Sequence, residues 1–425
     1  MKILVVGSGG REHAIIWSIK NSRKDAAIYC ANGNAGISQI AECVDISPTD
    51  ISGLVKFAKE NAIDLTFVGG ETSLALGIVD EFEKYGLRII GASKDAARLE
   101  SSKAFAKDFM LRHGIPTSAY KIARSAEEAA AILNSGRFGD EMAPVVIKAD
   151  GLAAGKGVVV AENREEALAA IDSMVSGELI DPEAAGTIVI EECLTGREVS
   201  VLMFADGKSY ALMPPTRDHK RIGEGDTGAN TGGMGTITDP ALLTSAQTKT
   251  IIEEIIEPTL KGARDDGFPF KGILFLGLMI TESGIKVLEY NVRFGDPETQ
   301  AILVNLETDF VEICEAIENQ NLASAPISWI RGSSACVIMA ARNYPQSPKK
   351  GDTINGLEQA AKQENVVVFH AGTAKDAGGE FKTSGGRVLA VTATAGNLSN
   401  ALHRAYKAVN LISWDGMQYR TDIGK

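Results

Sequence analysis

The sequence has few cysteines and no long hydrophobic run, and each shortage excludes a class of protein. Its five cysteines are scattered over 425 residues without a Cys-x-x-Cys pair, so we expect reduced, mostly buried thiols rather than a zinc site. The longest apolar run, at 272–280, is about half of the ~18 residues that a membrane-spanning helix needs. The chain begins MKILVVGSGG, which lacks the charged-then-apolar pattern of a signal peptide. These observations predict a soluble, cytoplasmic protein.

Positive charge is also scarce. Lysine and arginine number 43 against 55 acidic residues, and the net charge of −12 argues against a general nucleic-acid or anionic-membrane partner. This balance still allows a local basic pocket for a phosphorylated small molecule. The chain is long enough for roughly two to four domains, and its hydrophobic content is an ordinary 44%. Its 44 glycines favour tight turns and close approach of the backbone to ligands.

The first hundred residues alternate short apolar runs with helical patterns. The apolar runs predict buried strands at 2–6, 26–31, 65–70 and 87–92. Helices are predicted between them, at about 11–20, 50–61 and 73–85. Because strands that alternate with helices form βαβ units, we expect a parallel sheet whose ligand-binding edge lies at the carboxyl ends of its strands.

The segment GSGGREH, residues 7–13, follows the first strand and opens a helix, as a dinucleotide-binding fingerprint does. Glu12 occupies the position of the third glycine of that fingerprint, and no ribose-binding acid ends the second strand. NAD binding is therefore not favoured. We expect a phosphate or a small polar substrate at the amides of this helix start. A tight turn that serves only packing is the alternative.

Residues 100–116, ESSKAFAKDFMLRHGIP, predict a helix capped by Ser101 or Ser102. Lys103 and Lys107 are four residues apart and therefore share a face of this helix. Two like charges at this spacing usually lie on a solvated face, so the spacing alone predicts that both lysines are exposed.

The segment GLAAGKGV, residues 151–158, resembles the phosphate-binding loop of nucleotide hydrolases but departs from it in three ways. Only three residues separate Gly151 from Gly155 and Lys156, Gly157 replaces the Ser or Thr that binds magnesium, and a β-branched strand follows where a helix should. A glycine loop between antiparallel strands can instead cover phosphates with its backbone amides. Lys148, which ends the incoming strand, would then reach an α- or β-phosphate. An exposed hairpin tip is the alternative.

The centre of the chain predicts antiparallel structure. Its predicted elements are strands at 143–151, 158–163 and 187–194, a helix at 164–176, and hairpins at 197–212 and 272–292. From Ile327 onward, several strands precede a helix at 397–411 that Asn397 caps. This last part predicts a small C-terminal domain.

The segment IEECLTGREVS, residues 190–200, ends a predicted buried strand with Glu191 and Glu192 and continues to Glu198. A strand end of this kind can bind adenine through backbone groups and ribose hydroxyls through a carboxylate. Paired glutamates near a turn are usually solvated, so both interpretations stay open on these residues alone.

The most specific local pattern is VLEYNVRFGDPETQ, residues 287–300. Side chains two apart on a strand share a face, so Glu289, Asn291 and Arg293 are expected to point one way, with Leu288, Tyr290 and Val292 in the core. A carboxylate, an amide oxygen and a guanidinium on one face are typical of an oxygen-ligated magnesium ion beside an anionic substrate. A solvated strand face is the alternative.

The polar, glycine-rich segment 216–235 is too long for an ordinary connection, and such loops tend to be functional. Its candidate substrate contacts are Asp218, His219, Lys220 and Arg221. His219 as a catalytic base is a secondary hypothesis. His370 is expected in the core and His113 at a helix end.

These motifs together resemble the ATP-grasp superfamily and, within it, the glycinamide ribonucleotide synthetase family. The resemblance covers essentially the whole chain and rests on GSGGREHA, GNAG, SKAFAKDF, IKADGLAAGKGV, DHKRIGEGDTGANTGGMG, RFGDPETQ and SGGRVLAVTA. It implies a multidomain α/β and α+β protein with an ATP-grasp fold. The implied domains are an N-terminal parallel-sheet domain at 1–102, an ATP-grasp domain at 103–326 with a small lobe at about 120–190, and a C-terminal α/β domain at 327–425.

The resemblance also implies roles for individual residues. The implied ATP-binding residues are Lys103, Lys148, Gly151, Ala154, Gly155, Lys156, Gly157, Glu191, Glu192, Cys193, Leu194 and Glu198. Glu289 and Asn291 would hold Mg²⁺ or Mn²⁺. The implied substrate-binding residues are Gly9, Gly70, Glu71, Asp218, Lys220, Arg293 and Arg387, of which Arg293 would pair with the glycine carboxylate and Asp218 with its ammonium group. Arg293, Asp218 and Lys148 are the implied catalytic residues.

The activity implied by the resemblance is an ATP-dependent ligation. ATP would phosphorylate glycine to glycyl phosphate, and the amine of 5-phosphoribosylamine would attack it to give glycinamide ribonucleotide, ADP and phosphate in purine biosynthesis. Many superfamily members carry another metal-binding acid on the preceding strand, where this chain has FLGLMI. We expect small-molecule partners only, no nucleic acid, no membrane, and a monomer. The alternatives are another ATP-grasp carboxylate–amine ligase and a non-catalytic nucleotide sensor.

Overall fold

The structure, a computed structural model, describes residues 1–152, 157–177 and 186–425. Its N-terminal part contains a parallel sheet in the strand order β3-β2-β1-β4-β5. The strands are β1 (Lys2–Gly7), β2 (Ala27–Asn32), β3 (Glu42–Val44), β4 (Leu65–Val68) and β5 (Ile89–Ile90). The predicted parallel sheet is therefore confirmed, and β3 is a further strand that its short, partly polar sequence did not predict.

Helices α1 to α5 surround this sheet. They are α1 (Gly10–Ser22), α2 (Ile51–Glu60), α3 (Glu71–Ala75), α4 (Ile78–Lys84) and α5 (Lys94–Ser101). The single helix predicted at 73–85 is divided because Gly77 adopts a left-handed conformation (φ +89°), which ends α3 and starts α4. The sheet packs on the central part of the chain through Phe67, whose ring centroid lies 5.3 Å from that of Phe310.

The helix predicted from residue 100 begins later than expected. The structure has α6 (Lys103–Arg112), separated from α5 by Ser102. The Ser102 side chain caps α6 by accepting a hydrogen bond from the Phe105 amide, as one of the two predicted caps would. Lys103, the first residue of α6 after this break, lines a cavity.

The small lobe is an antiparallel sheet in the order β6-β9-β7-β8, covered by two helices. Its elements are β6 (Tyr120–Ala123), α7 (Ala126–Asn134), β7 (Val145–Ala149), β8 (Val158–Ala161), α8 (Arg164–Val175) and β9 (Ile188–Glu192). Because β7 pairs antiparallel with β8, the glycine-rich segment joins two strands and does not open a helix. This excludes the hydrolase loop, as the sequence spacing predicted.

A second large sheet runs through the centre of the chain into its C-terminal part, in the order β17-β16-β10-β12-β15-β18-β22-β19 with β11 beside β10. Its strands are β10 (Arg197–Asp206), β11 (Tyr210–Leu212), β12 (Thr216–Asp218), β15 (Gly235–Thr238), β16 (Lys271–Thr281), β17 (Gly284–Asn291), β18 (Ser333–Ala340), β19 (Val366–His370) and β22 (Arg387–Ala395). Two hairpins complete the strands, β13 (Arg221–Gly223) with β14 (Thr227–Asn230), and β20 (Thr373–Lys375) with β21 (Phe381–Thr383). The sheet is continuous across the predicted domain boundary at 326/327.

The remaining helices cover this sheet. They are α9 (Ser245–Ile251), α10 (Glu257–Asp265), α11 (Glu298–Leu303), α12 (Phe310–Glu318), α13 (Leu357–Ala361) and α14 (Leu398–Val409), with a π-helical turn (Ile252–Ile256) between α9 and α10. Asn397 caps α14, as predicted. None of the described helices is both long and apolar enough to span a bilayer.

Two expectations about local structure need correction. The segment 216–235 is not a plain loop, since it contains β12 and the β13–β14 hairpin. Its composition hid the strands because β12 is held by pairing with β10, which precedes the segment, and with β15, which begins only at its last residue. Leu288 does not enter the core: a β-bulge pairs Val287 with Leu278 and Glu289 with Gly277, which leaves Leu288 partly exposed.

The N- and C-terminal parts meet at two buried histidines. The His370 amide donates to Nδ1 of His13 at 2.8 Å, and the His370 ring contacts the Thr373 hydroxyl at 3.1 Å. Burial lowers the pKa of His13 to about 3 and that of His370 to about 4. The prediction that His370 is a core residue is confirmed. His113 caps the end of α6, also as predicted.

Candidate active site

A cavity of about 410 Å³ lies where the N-terminal part, the small lobe and the large sheet meet. Many residues predicted for the site line it: Glu71, Lys103, Lys148, Gly151, Gly157, Glu191, Asp218, Lys220, Glu289, Asn291, Arg293 and Arg387. Other predicted residues are not part of its wall: Gly9, Gly70, Glu192, Cys193, Leu194 and Glu198. Ala154, Gly155 and Lys156 lie outside the described residues.

The expected metal ligands share one wall of this cavity. Glu289 and Asn291 are both on the cavity side of β17, while the Tyr290 hydroxyl faces the core and lies 2.8 Å from that of Thr259. The partner of Glu289 on β16 is Gly277, where a Cβ atom would lie 3.1 Å from Cγ of Glu289. A glycine at this position therefore gives the carboxylate room.

Cations surround the Glu289 carboxylate. Nζ of Lys220 lies 3.8 Å from its Oε1 and 3.0 Å from Oε2 of Glu198. Burial alone would raise the pKa of Glu289, but the ammonium groups of Lys220 and Lys148 lower it below its usual range. Glu289 is therefore ionised, and its carboxylate beside the Asn291 amide oxygen is a donor pair that a hard divalent cation prefers. The described residues include no cluster of three or more His, Cys, Asp or Glu that could hold a metal.

Arg293 is bound to carboxylates before any substrate arrives. Its Nε donates to Oε2 of Glu71 at 3.2 Å, and its Nη2 lies 2.7 Å from Oε1 of Glu100. Nη2 also donates to Oδ1 of Asn291 at 3.1 Å, and Nη1 donates to the Phe294 carbonyl at 3.1 Å. A guanidinium has five N–H donors, so one remains without a partner among the described residues. A second carboxylate can pair with Arg293 at two points only if one of these contacts opens.

Glu100 and Glu298 belong to the site, and sequence analysis missed both. Glu100, at the end of α5, has a side chain that is only 7% exposed, and it accepts a hydrogen bond from the Val292 amide at 2.8 Å. Glu298 lies inside RFGDPETQ and begins α11, but nothing in the sequence distinguished it from the rest of the motif. Burial raises the pKa of Glu100 and that of Glu298.

Asp218 lines the cavity at the end of β12. It accepts hydrogen bonds from the His219 amide at 2.8 Å and from the Thr236 hydroxyl at 3.2 Å. Burial and the neighbouring carboxylate of Glu298 raise the pKa of Asp218 well above its usual range. The site therefore combines a fixed cation, Arg293, with a carboxyl group that holds a proton easily.

His219 is not placed to act as a base. Its Nδ1 lies 3.0 Å from the Gly235 carbonyl, and its Nε2 accepts from the Gly424 amide at 3.1 Å. Both ring nitrogens are therefore used by the backbone, and the side chain is buried outside the cavity wall. Arg387 joins two loops instead of standing free: its Nη1 donates to the Gly232 carbonyl and, at 2.6 Å, to the Asp296 carbonyl.

The prediction that Lys107 is solvated is wrong. Its side chain is 2% exposed, and its Nζ lies 2.8 Å from Oε2 of Glu191. Nζ of Lys148 lies 2.8 Å from the other oxygen, Oε1. Burial alone would raise the pKa of Glu191, but Lys148 and Lys107 lower it. The spacing rule failed because Glu191 is 84 residues away in the sequence, and only the fold brings it against the helix.

The start of the glycine loop is tied to the start of α6. Asp150 accepts hydrogen bonds from the Ser102 hydroxyl and the Ala104 amide, each at 3.0 Å. Lys103 donates from Nζ to the Gly151 carbonyl at 2.8 Å. The loop therefore begins from a fixed point, and Lys103 lies directly beside it.

The carboxylate of Glu12 occupies the space under the N-terminal glycines. It accepts from the Gly9 amide at 2.6 Å and from Nε of Arg11 at 2.8 Å. Cβ atoms at Gly7 or Gly69 would collide with it. The amide that was expected to bind an anion at this helix start is thus already bonded to Glu12, which corrects that expectation for Gly9. The missing third glycine of the fingerprint is explained by the same carboxylate.

Comparison with known proteins identifies close relatives over the full length. Models of the N domain, the ATP-grasp (A) domain and the C domain of phosphoribosylglycinamide synthetase match residues 1–100, 101–299 and 334–425. A phosphoribosylamine–glycine ligase from Vibrio vulnificus (strain YJ016) is 46% identical over 427 residues, which cover 100% of this chain and 98% of the relative.

Solved structures show the same fold. A crystal structure of phosphoribosylamine–glycine ligase from Thermotoga maritima is 33% identical, with a TM-score of 0.84, and the match covers 99% of this chain and 100% of that one. The biotin carboxylase domain of 2-oxoglutarate carboxylase from Hydrogenobacter thermophilus is 17% identical, with a TM-score of 0.71 and coverage of 98% and 91%. The predicted ATP-grasp fold is therefore confirmed.

Proposed function

The chain belongs to the phosphoribosylglycinamide synthetase family, and from this premise we propose how its cavity performs an ATP-dependent ligation. The reaction joins glycine to 5-phosphoribosylamine and yields glycinamide ribonucleotide, ADP and phosphate. A carboxylate is a poor electrophile, so glycine is first converted to glycyl phosphate by the γ-phosphoryl group of ATP. The amine then attacks the acyl phosphate and releases inorganic phosphate.

The phosphate end of the site uses two lysines and the glycine loop. Lys103 and Lys148 contact the phosphates, and the loop from Gly151 to Gly157 covers them with backbone amides. Both lysines line the cavity beside the fixed start of the loop, which supports these roles. A covered site also protects glycyl phosphate, since an acyl phosphate exposed to water hydrolyses.

Enzymes of this family use ATP with a divalent metal ion, and here Mg²⁺ or Mn²⁺ is held by Glu289 and Asn291. When bound, the ion neutralises charge on the phosphates during transfer. The Lys220 ammonium, 3.8 Å from Glu289, helps to keep this carboxylate ionised, which is the state that a divalent cation binds. Two protein ligands suffice for magnesium, which keeps several waters and binds substrate phosphates.

The nucleoside end of the site uses the strand end after Glu191. The backbone from Glu192 through Cys193 and Leu194 recognises the adenine edge, because the Glu191 carboxylate is already bound by two lysines. Glu198 accepts hydrogen bonds from the ribose hydroxyls. Lys220 lies 3.0 Å from Glu198, so it neutralises that carboxylate when no ribose is present.

The amino-acid and amine substrates lie toward the N- and C-terminal parts. Arg293 pairs with the glycine carboxylate and Asp218 with its ammonium group, whose positive charge favours the ionised form of Asp218 against the effect of burial. The phosphoribosylamine contacts are Gly70, Glu71, Lys220 and Arg387, because the Gly9 amide is already bonded to Glu12. Positioning and charge neutralisation supply most of the catalysis in such a site, because the chemistry needs no covalent enzyme intermediate.

The observation that carries this function is one cavity that Glu289, Asn291 and Arg293 line together with Lys103 and Lys148. The test is ADP release by the purified protein, with phosphoribosylamine formed in the assay from ribose 5-phosphate and ammonia. Release is expected only when ATP, a divalent ion, glycine and the amine are all present. Release of ADP with bicarbonate in place of glycine would indicate a different ATP-grasp ligase. No release of ADP under any of these conditions would indicate a nucleotide sensor.

The domain limits and the setting of the enzyme are part of the same proposal. The domains are residues 1–102, 103–326 with a small lobe at about 120–190, and 327–425. The chain acts as a monomer on small molecules in the cytoplasm, where ATP and phosphorylated sugars are available. Size-exclusion chromatography with light scattering at assay concentration tests the monomer.

A further inference from the structure

The floor of the cavity contains a lysine that no step above uses. Nζ of Lys107 donates to the Thr117 hydroxyl at 2.8 Å, to the Ser118 hydroxyl at 2.7 Å, and to Oε2 of Glu191 at 2.8 Å. An ammonium group has three N–H donors, so all of them are used. Lys107 is therefore a buried, charged residue that has no donor left for a ligand.

Glu191 shares its two oxygens between two lysines. Oε2 is bound by Lys107 and by the Ser118 hydroxyl at 2.6 Å, while Oε1 lies 2.8 Å from Nζ of Lys148. Lys148 also donates to the Leu288 carbonyl at 3.2 Å, which leaves one N–H without a partner in the part of the chain that the structure describes. Two ammonium groups and one carboxylate carry one net positive charge, and Lys148 is the member that still has a free donor.

We propose that Lys107 is a positioning residue for ATP, which holds Glu191 in place and neutralises it so that the charge of Lys148 remains available to the phosphates. Without Lys107, Glu191 and Lys148 form a neutral pair, and Lys148 can meet a phosphate only by leaving a buried carboxylate unpaired. With Lys107, Glu191 keeps a partner when Lys148 moves onto the nucleotide. The inference rests on the proposed function, because it requires that Lys148 contacts ATP.

The position of Lys107 at the junction of the two lobes strengthens this assignment. The Thr117 hydroxyl that it binds donates to the Val287 carbonyl of β17 at 2.7 Å, and Ser118 lies just before β6 of the small lobe. Lys107 thus links α6, the connection between the lobes and the strand that carries Glu289. A residue that fixes Glu191 here also fixes where the small lobe presents Lys148.

The charge of Lys107 is itself sensitive to alkali. Burial lowers the pKa of Lys107 to about 8, although Glu191 opposes this shift. The other groups that face it are Lys148, Glu192 and the Tyr120 ring, whose centroid lies 5.9 Å from Nζ. Loss of the proton removes the net positive charge of the cluster, so the KM for ATP is expected to rise above pH about 8.

The test compares steady-state kinetics of Lys107→Met with those of the double variant Lys107→Met/Glu191→Gln. The single variant is expected to raise the KM for ATP by about tenfold or more, since it leaves Glu191 to pair with Lys148 alone. The double variant removes that carboxylate charge and is expected to show a lower KM for ATP than the single variant. A KM for ATP unchanged in Lys107→Met, or raised further in the double variant, would overturn the proposal in favour of a purely structural lysine.

Two controls keep this result interpretable. Lys84→Met breaks a surface pair with Glu81, also 2.8 Å long, and is expected to leave the KM for ATP unchanged. If Lys107→Met does not fold, the wild-type pH profile decides: a KM for ATP that stays flat from about pH 7 to 9.5 overturns the inference. Failure of wild-type protein to release ADP with glycine and phosphoribosylamine would instead reject the proposed function, independently of any Lys107 variant.

Discussion

The guanidinium of Arg293 is bound to the carboxylate of Glu100, with 2.7 Å between Nη2 and Oε1. The Glu100 side chain, only 7% exposed, lies at the end of a helix in the N-terminal part, whereas Arg293 follows the strand that carries the expected metal ligands. This contact with Glu100 fixes the plane of the Arg293 guanidinium. A substrate carboxylate that binds Arg293 therefore meets a cation whose position is already set, which reduces the ordering cost of binding.

Replacing Arg293 by lysine should weaken glycine binding. A lysine cannot contact Glu100, Asn291 and a substrate carboxylate in the fixed planar geometry of a guanidinium, so two-point pairing is lost. We expect the KM for glycine to rise by about tenfold or more, with a smaller change in the KM for ATP. Steady-state ADP release at varied glycine measures this, and an unchanged KM for glycine would remove Arg293 from the glycine site.

Replacing Glu289 by alanine should abolish turnover without unfolding the protein. The carboxylate is partly exposed in the cavity, so its loss affects the bound cation more than the core. We expect kcat to fall by at least roughly 10²–10³-fold, the range seen when a preorganised charge-stabilising group is removed. Glu282→Ala, in the exposed turn before β17, is the matched control and should remain active. Near-normal turnover of Glu289→Ala would refute the metal assignment.

The protein should lose stability in acid because of His13 and His370. Their folded pKa values, about 3 and about 4, lie below the ordinary value of 6.5. Above pH 6.5 both states are neutral and the histidines contribute no pH dependence. As the pH falls below 6.5, the unfolded chain gains protons that the folded protein excludes. Each histidine therefore lowers the free energy of unfolding by about 1.4 kcal/mol per pH unit until its folded pKa is reached.

Denaturant unfolding between about pH 7 and 4.5 checks this pH dependence. In His13→Gln, the slope of the unfolding free energy against pH should decrease by the contribution of about one proton. The control His403→Gln, at an exposed position on α14, should leave the slope unchanged. Equal slopes in wild type and His13→Gln would show that His13 titrates normally in the folded protein.

Gly69 should not tolerate a side chain, although its backbone needs no left-handed conformation. A methyl group there collides with the buried carboxylate of Glu12, so Gly69→Ala should lower the free energy of unfolding by about 1–3 kcal/mol. Moving Glu12 also disturbs Arg11, which donates to Glu12 and lines the cavity, so the KM for phosphoribosylamine should rise. Gly396→Ala, where a Cβ has no neighbour within 4 Å, is the control. Equal stability of the two variants would contradict the role of Glu12.

Strands and their exposed faces could be predicted from the sequence where the pattern is local. The alternation around Tyr290 depends only on strand geometry, and Glu289 and Asn291 do share the cavity wall. The alternation failed at Leu288, because the bulge there depends on pairing with β16, a partner strand that periodicity does not encode. The hairpin bounds at 272–292 were correct since glycine marks the turn.

Charged residues were harder to predict because their partners are distant in sequence. Lys107 looks like a solvated helix residue until Glu191 is placed against it, and Glu100 looks like an ordinary first residue of a predicted helix until Arg293 reaches it. Glu12 was recognised only as a departure from a glycine pattern, and its role under Gly69 needs three-dimensional contact. The chemistry of the site was thus visible in motifs, while the groups that fix those motifs in place were not.

The continuity of the large sheet limits how the chain can be divided. β15 and β18 pair across the proposed boundary at 326/327, with Thr236 opposite Cys336 and hydroxyls of Thr238 and Ser334 2.7 Å apart. A truncation after residue 326 would turn β15 into a bare edge strand with unpaired amides and carbonyls, a template for aggregation. Fusion partners for this enzyme should therefore be attached at its termini, because the C-terminal part supplies three strands, β18, β19 and β22, of one continuous sheet and is not a detachable module.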